Sequence, residues 1–290
     1  MRLDEIELLG CDVVPGVGKL EIEPVGAGGV NEMFRVVRGH HTYALRVAGE
    51  QRGFFRPNLH WEAKVLALAG AADVAPPLVH VDPNRRVLLS RWIVGRSWSR
   101  SQTRTPANIG KISGLLRRVH ALAIPEPARR MSPASWIEFY DESLSRHGVT
   151  GCDTELQRQA ASCLAQLVLH PSVPGVVCHG DLHIHNLIQR RSTLVLLDWE
   201  YAHVTDPYWD LAGWSANNDF GRMARVMLLA TYLGAIPSRA QSQRLALLAW
   251  LYDYVCLQWS LLYLDSKRDF GGAIAARATQ LDARLRIPAH

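Results

Sequence analysis

His179-Gly180-Asp181-Leu182-His183-Ile184-His185-Asn186, followed downstream by Asp198-Trp199-Glu200, is the stretch on which the reading of this chain turns. Short apolar runs surround it: Val176-Val177-Cys178 before, then Leu187-Ile188 and Leu194-Val195-Leu196-Leu197 between the two pieces. Such runs read as short strands. Asp181, Asn186 and Asp198 are therefore expected in loops at strand ends, close to one another in space.

That set of side chains suits one chemistry. Phosphoryl transfer from a nucleoside triphosphate to an alcohol needs a carboxylate that orients the hydroxyl and takes its proton, and oxygen ligands that hold Mg²⁺ on the phosphates. Asp181 is the candidate for the first task, Asn186 and Asp198 for the second. Each piece alone is a weak signal, and Asp181 and Asn186 would equally serve to cap a turn. In this order, with strands between them, the pieces support each other. The neighbouring Cys178, His179, His183 and His185 invite a zinc reading, but no second Cys/His pair lies at a useful spacing. Bracing of the loop by His179 and His183 is the simpler expectation.

Outward from this segment the chain changes character near residue 95. Before it come alternating runs: Leu20-Glu21-Ile22, Met33-Phe34-Arg35-Val36-Val37, Tyr43-Ala44-Leu45-Arg46-Val47 and Val87-Leu88-Leu89. These predict strands, interrupted by one helix from about Asn58 to Gly70. After Thr105-Pro106 helical periodicity takes over, with Ile109, Ile112, Leu116 and Val119 on one face. Further helices are expected near 134–146, 154–169, 208–217, 221–234, 238–265 and 272–286. The fold class is thus α+β: a two-lobed fold with a small N-terminal antiparallel sheet lobe (residues 1–94) and a larger, mostly helical lobe (95–290).

The strand-rich half offers a phosphate site. Gly26-Ala27-Gly28-Gly29-Val30-Asn31 joins two strands, and glycines there let backbone N–H groups approach phosphates, with Gly28, Gly29 and Asn31 as the contacts. The spacing around Gly16-Val17-Gly18-Lys19 fails for a Walker A loop. Arg46 lies on the third strand and Glu62 on the following helix, an arrangement in which the acid holds a phosphate-gripping guanidinium. Arg91, Trp92 and Ile93, where the sheet half runs into the linker, complete the expected nucleotide site.

Taken together, these motifs resemble the aminoglycoside phosphotransferase and choline kinase superfamily, whose folds are protein-kinase-like. His179-Gly180-Asp181-Leu182-His183 with Asn186 is similar to its catalytic motif, Asp198 to its metal aspartate, and Leu115-Leu116-Arg117-Arg118-Val119-His120 to its leucine-histidine helix end. Asp198-Trp199-Glu200-Tyr201-Ala202, Leu45-Arg46-Val47 with Gly49, and Trp209-Asp210-Leu211-Ala212 resemble the choline and thiamine kinases most. Gly180 departs from the bacterial choline kinases, and His183 resembles the thiamine and aminoglycoside enzymes instead, which leaves the acceptor open among choline or ethanolamine, thiamine, and an aminoglycoside or amino sugar. The resemblance implies ATP and Mg²⁺ as cofactors and a small alcohol, cationic in the choline and thiamine cases, as partner. Such a cation would be drawn to aromatic faces. Glu200 and Trp259 are the acceptor-site candidates, Trp259 sharing a helix face with Tyr252 and Tyr263.

Composition agrees with these expectations. In 290 residues, 48% apolar and 20% charged, a sizeable core can form. A net charge of +5, with no basic block studded with aromatics, argues against a nucleic-acid partner. The apolar stretch from Leu245 to Leu264 is broken by Asp253 and Gln258 and reads as a buried helix, not a membrane span. Five scattered cysteines and an acidic N-terminus without an apolar run point to a cytoplasmic protein.

Overall fold

The computed structural model describes residues 3–25, 31–49, 58–265 and 272–287. Gly28 and Gly29 of the expected phosphate loop lie outside the described residues. The sheet of the N-terminal part is antiparallel and five-stranded. Its strands are β1 (Leu20–Pro24), β2 (Asn31–Arg38), β3 (His41–Ala48), β4 (Leu78–Asp82) and β5 (Val87–Arg91), in the order β1-β2-β3-β5-β4. Alternation along β3 gives the sheet two uses. Tyr43, Leu45 and Val47 are buried on one face, with Ile6, Leu9 and Val13 of helix α1 (Leu3–Val13). Arg46 is carried on the other.

Helix α2 (Leu59–Ala71) starts where Asn58 Oδ1 accepts the N–H of Trp61 at 3.0 Å, an N-cap that satisfies one orphan donor. It runs one residue past Gly70, ending on Ala72. Trp61 Nε1 donates to the carbonyl of Ala202 at 2.7 Å, so α2 is tied directly to the helical part. Its buried face belongs to the same core as the helical part: Trp61, Val65 and Ala69 pack in one cluster with Ile112, Leu116 and Leu196.

The helical part contains α3 (Arg100–Thr103), α4 (Pro106–His120), α5 (Pro133–Arg146), α6 (Thr154–Val168), α7 (Tyr208–Asn217), α8 (Arg222–Leu233), α9 (Arg239–Asp265) and α10 (Ala273–Leu285). Side-chain oxygens of Ser99, Thr105, Ser132, Asp153 and Ser238 cap the starts of α3, α4, α5, α6 and α9. Helix α9 is long and apolar enough to span a membrane by length and composition, yet most of it is buried, packed by α5, α6, α7 and α10. Between α6 and α7 lies the β island, two antiparallel pairs: β6 (Val176–Cys178) with β9 (His203–Thr205), and β7 (Leu187–Arg190) with β8 (Thr193–Leu196).

The linker after β5 is fastened to this island. Arg96 and Gln189 exchange backbone hydrogen bonds of 3.1 and 2.8 Å, and Trp98 Nε1 donates to Gln189 Oε1 at 2.7 Å. Gly95 makes the approach possible, because a Cβ there would stand 2.6 Å from Gln189 O and overlap Ile188 Cγ2. Gly95→Ala is therefore expected to lift the linker off β7 and to cost about 1–3 kcal/mol, the usual range for overpacking. Urea unfolding is the measurement; an unchanged midpoint and slope would refute the contact's importance.

Candidate active site

The catalytic-loop candidate leaves β6 and passes through a tight bend at Gly180, whose φ is +82°. A Cβ at that position would lie 2.6 Å from the backbone oxygen of Tyr201, so no side chain fits there whatever its tolerance of positive φ. The loop then closes in a 3-10 turn over Ile184–Asn186. The side-chain amide of Asn186 reaches back and donates to both the backbone oxygen and Oδ2 of Asp181, each at 3.1 Å. The five-residue spacing is thus the span of one closed loop. Asn186 Nδ2 holds the loop shut, and Oδ1 is its ligand-type atom.

Asp181 is ionised and held from two sides. Burial would raise its carboxyl, but the hydrogen bond and charge of His183 (Nε2 to Oδ2, 3.3 Å), with His179 and Asn186 adding, outweigh that and keep it below the usual carboxylate range. The same contact raises His183 against the downward pull of its own burial. His179 braces the loop as expected, with Nε2 2.8 Å from the carbonyl of Leu197.

Asp198 follows β8 in the left-handed backbone region (φ +57°) and aims back toward the sheet. There it meets Arg46. The guanidinium Nη2 donates to Glu62 Oε2 at 2.5 Å and Nη1 to Asp198 Oδ1 at 3.0 Å, with Glu200 Oε2 at 3.8 Å from Nη1. The sequence pairing of Arg46 with Glu62 is present, and Asp198 joins it. Among the described residues three carboxylates surround this guanidinium, and the Arg129 charge also acts on Glu62 and Glu200. Burial, with the Asp198 charge beside it, consequently pushes the Glu200 carboxyl up to about 8, against the pull of Arg46. Asn31, at the start of β2, completes the cluster by donating Nδ2 to Glu200 Oε2 at 2.8 Å; its Oδ1 is buried with no partner among the described residues.

The linker candidates behave differently. Trp92 and Ile93 follow β5 directly, and Trp92 N donates to Thr42 O at 3.1 Å. The Arg91 guanidinium stacks over the Tyr43 ring at 4.8 Å. Arg91 pairs in register with Tyr43, so its side chain lies on the α1 face, opposite Arg46. Only its backbone is placed for a ligand on the Arg46 side, a correction that alternation along β5 explains.

Below Asp181 opens a cavity of about 330 Å³. Its walls are aromatic and come from four elements: Trp136 and Tyr140 of α5, Tyr201 after Glu200, Trp209 of α7, and Tyr252 and Trp259 of α9. Both acceptor candidates line it. Glu200 is one, and Trp259, stacked on Tyr263 with centroids 4.2 Å apart, is the other, its Nε1 donating to Tyr201 Oη at 3.1 Å. Asp253, on the same helix, turns away and pairs with Arg284. Trp250 is likewise packing, stacked on Tyr254.

With this geometry, a sequence model of the phosphotransferase enzyme family matches residues 21–245. The chain belongs to that family. It is a phosphotransferase with an alcohol group as acceptor, and the resemblance read from the motifs holds. Among solved structures it is similar to a choline/ethanolamine kinase family protein from Mesorhizobium loti, at 25% identity and a TM-score of 0.78, over 98% of this chain and 93% of that one. It is similar also to choline kinase LicA from Streptococcus pneumoniae, at 20% identity, TM-score 0.78 and 98% of each chain. A second LicA structure is a complex with AMP. Spectinomycin phosphotransferase, in complex with ADP and spectinomycin, is similar at 14% identity and a TM-score of 0.60, over 99% of this chain and 95% of that one. No curated protein sequence matches the chain.

Sequence reasoning missed much of this phosphotransferase's cavity: Trp136, Tyr140, Tyr201, Asn217 and Arg277. Trp209, quoted above only for the resemblance, also lines it. Gly180 allows one sharp test. Gly180→Ala must displace either Asp181 or the Tyr201 backbone, and a shift near 1 Å costs about 10²-fold in turnover. Steady-state kinetics on a folded variant should show that loss in kcat; a variant within twofold of the parent would disprove the constraint.

Proposed function

We propose that this phosphotransferase is an ATP- and Mg²⁺-dependent kinase of a small amino alcohol, with choline and ethanolamine as the first candidates. The observation that carries this reading is the position of Asp181 at the wall of an aromatic cavity that also receives the Glu200 carboxyl. Aromatic faces attract an amine cation at about 0.5–2 kcal/mol each, and the Glu200 carboxyl, raised to about 8, adds to that once it ionises. A cavity of about 330 Å³ is at the small end of ligand pockets (~300–1,000 Å³), which favours a compact alcohol over an aminoglycoside. Nucleotide use is supported by the AMP and ADP held by two of the similar structures.

In this reading the alcohol oxygen attacks the γ-phosphorus. The new O–P bond forms as the bond from the γ-phosphorus to the β,γ-bridging oxygen breaks, ADP leaves, and the hydroxyl proton passes to the Asp181 carboxylate. His183 and Asn186 hold Oδ2 of that carboxylate, which leaves Oδ1 to receive the proton. Arg46, held by Glu62, is placed to grip phosphate oxygens as a fork. Asn186 and Asp198 supply hard oxygen donors next to an excess of negative charge, a donor set that fits Mg²⁺, and the ion when bound would neutralise charge on the phosphates. The alternative of an inactive binding module is opposed by the assembled Asp181, Asn186, Asp198 and Arg46–Glu62 set. Five free thiols support a reducing, cytoplasmic setting.

An ADP-release assay across choline, ethanolamine, thiamine, amino sugars and aminoglycosides tests the acceptor. Turnover of aminoglycosides alone would move the chain to another branch of the family. Asp181→Asn should cut turnover by ~10²–10⁴ while nucleotide binding stays nearly intact; near-normal turnover would remove Asp181 from the mechanism. A neutral isostere of choline, carbon replacing the charged nitrogen, should bind at least about tenfold more weakly, or ~1.4 kcal/mol. Equal kcat/KM for the two would rule out cation recognition.

A further inference from the structure

The acceptor cavity contains a cation that the amino-alcohol reading does not use. Arg277 of α10 lines the cavity with Asp181, His183 and Cys256. Arg244 contacts Asp206 at 2.5 Å, and Arg284, two turns further along α10, contacts Asp219 and Asp253. Among the described residues the Arg277 guanidinium makes no such contact and meets neutral amide oxygens, with Nη2 donating to Asn217 Oδ1 at 2.9 Å and Nη1 to Gln280 Oε1 at 3.2 Å. Asp253, whose charge acts on Arg277, is already paired with Arg284.

Its position is also fixed. Asn217, the last residue of α7, donates Nδ2 to the carbonyl of Leu182 at 2.9 Å and to Tyr252 Oη at 3.1 Å. The amide that holds Arg277 is thus anchored both to the catalytic loop and to α9. A guanidinium fork held in this way is preorganised for a planar oxyanion. A purely cationic acceptor would instead meet like charge on that wall. The cavity therefore offers two unlike surfaces: aromatic faces with Glu200 for a nitrogen cation, and Arg277 for an anion.

We infer that the natural acceptor carries a carboxylate or comparable oxyanion besides its amine and hydroxyl, and that Arg277 binds that group. The acceptor is then a zwitterionic amino alcohol. This inference rests on the amino-alcohol reading above and narrows it to the acid-bearing members of the class.

Ethanolamine and serine differ by one carboxylate and form the matched pair for the test; choline and N,N,N-trimethylserine repeat it with a quaternary nitrogen. Trp136, Trp209 and Trp259 line the cavity, so tryptophan fluorescence reads binding without turnover. The parent enzyme should bind the carboxylated member of each pair at least about tenfold more tightly. Arg277→Gln should bring the two members within about threefold of each other, acting through KM more than kcat, and Arg277→Lys should restore part of the preference. A parent enzyme that binds and phosphorylates ethanolamine or choline as well as the carboxylated partner overturns the inference and leaves the amino-alcohol reading standing. Failure to bind or phosphorylate any of the four overturns both. Titration with phosphoethanolamine separates the remaining source of an anion: if Arg277→Gln weakens only that product, Arg277 serves the transferred phosphate and the inference falls.

Discussion

One buried carboxylate sets the position of the loop that carries Asp181. Asp210, on the first turn of α7 and 1% exposed, accepts the backbone N–H of His179 on Oδ2 and that of Gly180 on Oδ1, both at 2.9 Å. These donors lie just past the end of β6, where the ladder no longer serves them. Left without an acceptor, each would cost about 1–3 kcal/mol. Burial would raise the Asp210 carboxyl, but His120, whose Nε2 is 3.1 Å away, and the loop N–H groups outweigh it and hold it ionised. His120 in turn contacts Tyr232 Oη at 2.8 Å. The ends of α4 and α8, the start of α7 and the catalytic loop thus meet at one charge. Asp181 is presented to the cavity because the two peptide groups before it are fixed there.

The second constraint is the Arg46 cluster, which joins the sheet to the rest. Glu62 comes from α2, Asn31 from β2, and Asp198 and Glu200 from the segment after β8. In a low-dielectric setting such a network is strong only if every member is matched, and truncating one partner strands the others. Here Arg46 bonds Glu62 and Asp198 and lies near Glu200, and the Arg129 charge acts on Glu62 and Glu200 as well.

The parts of this arrangement legible in the sequence are those written locally. Asp181 and Asn186 belong to one closed loop, so their spacing carries the geometry. Arg46 and Glu62 were found because strand alternation and a capped helix are also local patterns. Helix α1 was missed although Ile6, Leu9 and Val13 fall at helical spacing, because no cap marks its start in the described residues. Strand β4 has five half-buried residues and no alternation, and β9 is three residues long with its partner β6 far back in the chain. The cavity walls were hidden for a different reason. Trp136, Tyr140 and Tyr252 look like core residues on their own helices, and they are core residues on one side. Only the packing of α5, α7, α9 and α10 around Asp181 gives them a second side, and that packing is long-range.

Glu200 shows why the two halves of the site are not independent. Its carboxyl accepts from Asn31 of the sheet and lies near Arg46, yet the same residue lines the aromatic cavity. The next residue, Tyr201, supplies the hydroxyl that receives Trp259 Nε1 and the backbone oxygen that excludes any side chain at position 180. A change in how the sheet sits on the helical part must therefore be felt at the cavity wall, and a ligand that draws on Glu200 must alter the hold on Asn31. In a transfer between two bound substrates that coupling is useful, since the reacting atoms have to be brought within about 3–3.5 Å and aligned before the bond can move. Two adjacent residues, each touching both sides, are the shortest mechanical link the chain could provide.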